Sequence, residues 1–224
     1  MLENRERIPS SNPEVRNILY NSSAFKRLQM AAGSRRVEHL SGLYHQYLSA
    51  DHFRKKYPSS LVLDEDVLSA RLKDVVKRGD SPLKYVDNNF FTVWDKRRSR
   101  NSYPIPDALV LDEIKPSYYQ LTKVVESRLK KVDERDARDL RFPRSLDKLL
   151  NLLNIPIYKT AFEQAISLEL GRPVALTLPQ NFEGFYLLVV PWQVVKIPRN
   201  PRVALEILPY SRKEVHNVVR TLIS

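Results

Sequence analysis

The sequence predicts an α+β protein in which a mostly helical body precedes a small, antiparallel β-rich tail that a C-terminal helix closes. Apolar residues recur at helical spacing through most of the first 171 residues, whereas strand-like runs of β-branched and aromatic residues follow Gly171. The chain has 224 residues, enough for one large domain or for a core domain with a small appended one. We expect residues 1–13 to form an extended arm, 14–171 the body and 172–224 the tail.

The helices of the body are predicted from apolar spacing and from end signals. Pro58 ends the first helix, whereas Asp64 caps the second and Gly79 lies just past its end. Pro116 is expected to open a third helix, because Leu121, Val125, Leu129 and Val132 would share one face. The predicted helices are therefore 35–56, 65–78, one from Pro116 to about Val132, a short leucine-rich one at 145–154, and 158–170.

The tail is predicted from four β-branched or aromatic runs that Pro, Asn and Gly separate. The runs are 174–178, 185–190, 192–197 and 203–208. A last helix is expected from Ser211 to Ile223, with an apolar face turned inward. The stretch 80–103 is expected to be irregular.

The charge balance is the clearest feature of the composition. The chain carries 37 Lys and Arg against 26 Asp and Glu, a net charge of +11, and its isoelectric point is near 9.8. This excess favours a polyanionic partner, because a cationic side chain on a phosphate releases counterions. The alternatives are a solvated basic surface and docking onto an acidic protein.

Several classes of protein are disfavoured by what the sequence lacks. There is no cysteine, so neither a disulfide framework nor a thiolate metal site can form. No apolar run approaches the roughly 18 to 20 residues of a membrane span. The first 17 residues have no apolar signal core and include Glu3, Glu6 and Glu14, so they are not expected to be an organellar presequence.

An aromatic and basic stretch at 90–100 is the best single candidate for nucleic-acid contact. Phe90, Phe91 and Trp94 could stack on unpaired bases. Four basic residues that could neutralise phosphates follow them: Lys96, Arg97, Arg98 and Arg100. The alternative is that the aromatic residues are core anchors and only the basic residues face solvent.

Two segments of the body resemble the ribonuclease III family. They are 36–42 (Arg-Val-Glu-His-Leu-Ser-Gly), followed by the helix at 68–76, and 161–166 (Ala-Phe-Glu-Gln-Ala-Ile). The family cuts RNA with four carboxylates that hold Mg²⁺. Glu38 and Glu163 match two of them, but Gly42 and Thr160 stand where the family has aspartate. The resemblance therefore implies a catalytically inactive member with an insertion near 80–145.

Inactive members of that family serve as structural proteins in the large subunit of the mitochondrial ribosome. The resemblance therefore implies a non-catalytic RNA-binding subunit of a ribonucleoprotein in the mitochondrial matrix. Its expected partners are structured or double-stranded RNA and neighbouring proteins, with no cofactor, metal, membrane or small-molecule substrate. The alternative from another class is a protein–protein scaffold, such as a viral or complex-assembly subunit.

The start of the last helix resembles the final helix of double-stranded-RNA-binding domains. Residues 211–217 read Ser-Arg-Lys-Glu-Val-His-Asn, and in such domains a basic pair at this position contacts phosphates. The resemblance implies that Arg212 and Lys213 bind RNA. The leading helix of those domains is missing here or merged with 158–170, and the alternative is an ordinary amphipathic helix.

A third candidate function rests on Pro106-Asp107 followed by Glu113-Ile114-Lys115. The pair resembles the Pro-Asp … Glu-x-Lys nucleases, in which Asp and Glu bind a metal on neighbouring strands of a hairpin and Lys steadies the attacking water. Only five residues separate Asp107 from Glu113, too few to turn and pair comfortably. The sequence therefore ranks a metal-dependent nuclease third.

Two other groups of possible ligands are better explained without a metal. His39, His45 and His52 lack the spacing of four that helical metal ligands prefer, so they are expected to be core or surface histidines. The acids at 64–66 suit the start of a helix, where the helix dipole favours negative charge.

Overall fold

The computed structural model describes residues 12–33, 36–79, 83–86, 90–94, 100–129, 150–151, 153–192 and 201–224. In these ranges the protein is α+β, with six helices and nine strands. The prediction of an α+β class is thereby confirmed. None of the helices within these ranges combines the length and the apolarity needed to cross a membrane.

The helices are α1 (Pro13–Tyr20), α2 (Ser23–Ala31), α3 (Val37–Lys56), α4 (Glu65–Lys77), α5 (Pro156–Leu170) and α6 (Arg212–Ile223). The strands are β1 (Leu61–Asp64), β2 (Leu83–Val86), β3 (Phe90–Trp94), β4 (Arg100–Pro104), β5 (Ala108–Lys115), β6 (Tyr118–Ser127), β7 (Ala175–Thr177), β8 (Tyr186–Pro191) and β9 (Val203–Leu208).

The main sheet has six strands in the order β1-β5-β6-β8-β9, and β7 also pairs with β6. Strand β5 runs antiparallel to both of its neighbours, β1 and β6. Strands β7 and β8 lie parallel to different parts of β6, and β9 lies parallel to β8. A separate antiparallel sheet contains β2, β3 and β4, where the sequence was expected to be irregular.

The prediction of an appended antiparallel β tail is wrong. Val124 of β6 pairs with Tyr186 of β8, which in turn pairs with Val203 of β9, and both pairings are parallel. A parallel pair needs a long crossover, and α5 lies within the connection from β6 to β8. Every residue of β8 is buried, as is usual for a parallel strand covered on both faces. The tail therefore completes the main sheet.

The prediction of a helix from Pro116 is also wrong over its described part. Residues 118–127 form β6, and Pro116 and Ser117 form the turn that joins it to β5. The tyrosines, valines and threonine of this segment fit a pleated, half-buried surface. Strands β5 and β8 supply its hydrogen-bonding partners. The remainder of that predicted helix, and most of the one predicted at 145–154, lie outside the described residues.

Local end signals define the helices that were predicted correctly. The side chain of Asp64 accepts a hydrogen bond from the Val67 N–H and caps α4. Gly171, with φ of 65°, ends α5 in the left-handed conformation that glycine favours. Ser211 and Glu214 form a reciprocal capping box at the start of α6.

The hydrophobic core has two main parts, one on each face of the main sheet. Leu109 and Leu111 of β5 pack with α4 and α5. Ala108 and Val110, which alternate with them, pack with α1, α2, α3 and α6. This three-layer arrangement fixes the position of the loop before β5, where the candidate site lies.

Candidate active site

The β5–β6 hairpin brings two carboxylates together, Asp107 and Glu126, which we call the acidic pair. The antiparallel register pairs Ala108 with Val125, so Asp107 and Glu126 are the next facing residues at that end of the hairpin. The two side chains are close enough that the charge of Glu126 acts on Asp107. Asp107, just before β5, and Glu126, on β6, thus face each other at one end of the hairpin.

Asp107 is held from three directions. Its Oδ1 accepts a hydrogen bond from the side-chain amide of Gln46 on α3, at 2.8 Å. Its Oδ2 accepts one from the backbone N–H of Ser127, at 2.5 Å. Its backbone oxygen accepts one from the N–H of Glu65, at 3.0 Å. Helix α3 and strand β6 therefore hold the carboxylate itself, and helix α4 holds the main chain of Asp107.

Glu126 carries an ion pair with the basic residue two positions along the strand. Nη2 of Arg128 lies 2.7 Å from Oε1 of Glu126. Residues two apart on an extended chain project to the same side, which allows this contact. The Glu126 side chain is 22% exposed, whereas that of Arg128 is 53% exposed. The cation of the pair therefore faces solvent while the anion lies below it.

A cleft opens beside Asp107. Its lining residues are Arg27, Gln46, Tyr47, Asp64, Glu65, Asp66 and Asp107. Four of these seven side chains are acidic and one is basic. Asp107 belongs both to this cleft and to the acidic pair, whereas Glu126 does not line the cleft.

Burial and like charge disfavour ionisation of the acidic pair and of the neighbouring Glu65. Burial, followed by the charge of Glu126, raises the pKa of Asp107 to about 8. Burial raises the pKa of Glu126, although Arg128 opposes the rise. Burial and the neighbouring charges of Asp107 and Asp66 raise the pKa of Glu65 to about 8. A bound cation would remove this penalty, because it favours the ionised form of all three groups.

The acids on the other wall of the cleft are already neutralised. Asp64 lies 2.8 Å from Arg27 and 2.5 Å from Arg54, and Arg27 also lies 2.9 Å from Asp66. Burial opposes ionisation of Asp64, but Arg27 and Arg54 hold its pKa below its usual value. The Arg27 guanidinium stacks 3.9 Å from the ring centre of Tyr47. Asp64 and Asp66 thus contribute to structural ion pairs and to the cap of α4.

The donor set of the acidic pair suits a hard divalent cation that also binds substrate. Among the described residues, no three Asp, Glu, His or Cys side chains converge closely enough to hold a metal by themselves. Mg²⁺, however, is usually bound by one or two carboxylates, with water and substrate phosphates completing its coordination. Asp107 and Glu126 provide two such carboxylates.

Of the residues in the nuclease resemblance, only Asp107 lies at the acidic pair. Glu113 is exposed and accepts hydrogen bonds from Arg172 and from the Ser117 N–H, both at 3.0 Å. Lys115 lies over the ring of Tyr118 near the hairpin turn, with Nζ 3.9 Å from its centre. The facing segment is instead 126–128, Glu-Ser-Arg. Sequence reasoning missed it because the segment was assigned to a helix and because Arg stands in place of Lys.

The RNA-binding candidates lie elsewhere. Lys96, Arg97 and Arg98 lie outside the described residues, and Arg100 begins β4, where it pairs with Trp94 of β3. Arg212 and Lys213 are exposed in the first turn of α6. Nε of Arg212 donates to Nε2 of His216 at 3.2 Å.

The two acids that match the ribonuclease III pattern contact different parts of the protein. Glu38 is exposed near the start of α3, where its charge acts on His216. Glu163 on α5 accepts a hydrogen bond from the Leu176 N–H at 2.8 Å and lies 3.6 Å from Lys159.

The three histidines of α3 also have separate environments. His45 is fully buried, with Nδ1 3.0 Å from the Tyr210 hydroxyl and Nε2 3.3 Å from the Val189 carbonyl. His52 lies 2.7 Å from Glu206, and His39 is exposed. They are one core and two surface histidines, as their spacing indicated.

No protein-family model, curated protein sequence or solved structure matches the chain.

Proposed function

We propose that the protein is a divalent-metal-dependent nuclease with its active centre at the acidic pair. The observation that carries this proposal is the placement of Asp107, just before β5, beside Glu126 on β6. Both carboxylates have raised pKa values, and a cationic side chain follows Glu126 by two residues. Buried like charges are costly to the fold, so their placement side by side favours a role in binding a cation.

Each residue of the site has a separate role in this proposal. A divalent cation at Asp107 and Glu126 would supply Lewis-acid stabilisation of a phosphate and would lower the pKa of an attacking water. Gln46 and the Ser127 N–H hold the Asp107 carboxylate in a fixed orientation. Arg128 can bind phosphate oxygens through its planar fork of donors. An arginine keeps its proton, so water activation would not depend on this side chain.

The chain's charge supports a nucleic acid as the substrate. A net charge of +11 attracts polyanions over distances up to the Debye length and speeds their association. The acidic pair, by contrast, offers no positive charge to a phosphate except Arg128, so a divalent cation would have to join the site for cleavage. Together these features favour a substrate that is held by basic surfaces and is cut only when a divalent ion is present.

A cleavage assay on the full chain tests the proposal. Labelled single-stranded and duplex DNA and RNA would be incubated with the protein in Mg²⁺, in Mn²⁺ and in EDTA. We expect cleavage only with a divalent ion and a loss of about 100-fold or more in Asp107→Asn and Glu126→Gln. Glu113→Gln is the matched control on the same hairpin and should cleave as the wild type does. Metal-dependent cleavage that survives both substitutions, or no cleavage of any substrate, would contradict the proposal.

A second candidate is a non-catalytic RNA-binding subunit of a ribonucleoprotein, such as the large subunit of the mitochondrial ribosome. The resemblance to an inactive ribonuclease III fold stays a prediction. The exposure of Arg212 and Lys213 favours this candidate. In the Pro-Asp … Glu-x-Lys nucleases a Lys stands where this chain has Arg128. Loss of that Lys is also expected in a protein that has lost cleavage.

Salt-dependent binding to duplex RNA tests the second candidate. Each phosphate contact contributes about 0.9 to the slope of log affinity against log salt for a duplex. We expect Arg212→Gln with Lys213→Gln to lower the slope by about 2, and Arg97, Arg98 and Arg100 changed to Gln to lower it by about 3. Unchanged slopes would remove these residues from the RNA contacts. Binding to no nucleic acid would favour the protein–protein scaffold instead.

A further inference from the structure

We infer that Arg128 is a built-in counter-ion that competes with the divalent cation for Glu126 and transfers to a phosphate when cation and substrate bind together. The inference rests on the proposed function. It adds a form of regulation, because the site would bind its cation weakly until a nucleic acid arrives.

The first support is the position of the guanidinium. Nη2 of Arg128 lies 2.7 Å from Oε1 of Glu126, a distance typical of a charge-assisted hydrogen bond. In the part of the chain that the structure describes, Glu126 is the only carboxylate within ion-pair distance of Arg128. A cation that binds Oε1 of Glu126 must therefore share this oxygen with the guanidinium or displace it.

The second support is the freedom of the Arg128 side chain. Its backbone N–H bonds to the Val189 carbonyl at 2.8 Å, which fixes the main chain, while the side chain is 53% exposed. Arg27, in contrast, is held by two carboxylates and by the ring of Tyr47. Arg128 can therefore turn away from Glu126 without disturbing the strand, whereas Arg27 is fixed in the cleft wall.

The third support is the chemistry of the exchange. A guanidinium binds a phosphate as readily as a carboxylate, because its planar donors match both groups. When the phosphate takes Arg128, Glu126 becomes available to the cation, which binds the same phosphate. Each ligand then increases the affinity for the other by the same factor, as linkage requires.

Calorimetric titration of the full chain with Mn²⁺ at pH 8.5, without nucleic acid, measures the competition directly. We expect Arg128→Met to bind Mn²⁺ about tenfold more tightly than the wild type, because both the competing ion pair and a repelling charge are gone. Arg128→Lys should lie between them. The control is Arg172→Met, which removes a different ion pair: Arg172 lies 3.0 Å from Glu113 of the β5–β6 hairpin. This variant should bind Mn²⁺ as the wild type does. Thermal unfolding of each variant shows whether it is folded.

A second titration measures the affinity for Ca²⁺ with and without a saturating, short duplex. A fluorescent label on the duplex shows whether the duplex stays bound. The wild type should bind Ca²⁺ several-fold more tightly with the duplex present, and Arg128→Met should lose most of this gain. Equal or weaker Mn²⁺ binding by folded Arg128→Met, or an equal gain in both proteins, would overturn the inference. One outcome is that Glu126→Gln abolishes the Mn²⁺ binding of the wild type while Arg128→Met shows neither tighter Mn²⁺ binding nor a smaller gain from the duplex. In that case the metal site stands and the role of Arg128 fails. If no variant binds Mn²⁺, the proposed function fails as well.

Discussion

Gln46 of α3 donates a hydrogen bond to Asp107 at 2.8 Å and so joins the longest described helix to the start of β5. The same carboxylate accepts the N–H of Ser127, one residue past its neighbour Glu126. The acidic pair is thus oriented by groups from a helix and a strand that the sequence separates widely.

The Gln46 hydrogen bond favours the ionised form of Asp107. In Gln46→Met that donor is lost, so the pKa of Asp107 should rise further above about 8. Titration of the aspartate carboxyl carbons by ¹³C NMR measures the change. Gln29→Met, on the exposed face of α2, is the control and should leave this pKa unchanged. A fall in the pKa of Asp107 in Gln46→Met would refute the assigned role of Gln46.

Asp107→Asn should stabilise the metal-free protein at alkaline pH. The folded pKa near 8 lies above the ordinary value of about 3.9, so the unfolded state releases this proton first. The wild type therefore loses stability from this group as pH rises from about 4 to about 8. The free energy of unfolding of the variant should exceed that of the wild type by at least about 1 kcal/mol at pH 8.5. This difference should narrow toward pH 4.5. Urea unfolding in EDTA measures the gap, and a less stable variant at pH 8.5 would argue against the buried like charges.

His45 should produce a stability loss on the acid side. Burial lowers its pKa to about 4, while the unfolded value is about 6.5. Its contribution is fully present above pH 6.5 and is lost as pH falls toward 4, by up to about 3 kcal/mol. His45→Gln should be less stable at neutral pH but should have a flatter profile than the wild type between pH 6.5 and 4. His39→Gln, exposed on the same helix, should keep the wild-type slope; equal slopes in all three proteins would exclude a buried neutral imidazole.

Ser127→Ala should be neutral or stabilising by up to about 1 kcal/mol. The Ser127 hydroxyl is buried without a hydrogen-bond partner among the described residues, whereas its backbone N–H keeps the bond to Asp107. Ser49→Ala is the contrasting variant, because its buried hydroxyl donates to the His45 carbonyl at 2.7 Å, and it should lose about 1 kcal/mol. Denaturant unfolding of both variants provides the comparison. A clear loss of stability in Ser127→Ala would indicate that the hydroxyl has a hydrogen-bond partner.

The helices were predictable where their signals are local. Asp64 and Ser211 cap α4 and α6, and Gly171 ends α5, because each interaction spans only a few residues. Strand β6 was not predictable in the same way. Leu121 and Val125 are four residues apart, which matches a helix face, and a bulge opposite Val110 and Leu111 interrupts the strand alternation. Pairing with β5 and β8, which is remote in sequence, determines its conformation.

Of the two carboxylates in the candidate site, the position of Asp107 follows from local sequence, whereas that of Glu126 depends on strand pairing. Asp107 follows a proline and precedes an apolar run, so its position before a strand could be inferred. Its partner depends on the hairpin register, which places the turn at Pro116 and Ser117 and therefore brings Glu126 opposite Asp107. Gln46 gives no signal in the sequence, because an amide on a long helix has many ordinary roles.

Diffraction from crystals soaked in Mn²⁺ tests most directly whether the two facing carboxylates share a divalent ion. An anomalous peak bound by oxygens of both Asp107 and Glu126, and absent from Asp107→Asn crystals, is the expected result. A peak only at Asp64 and Asp66, or no peak in the cleft at saturating Mn²⁺, would contradict it.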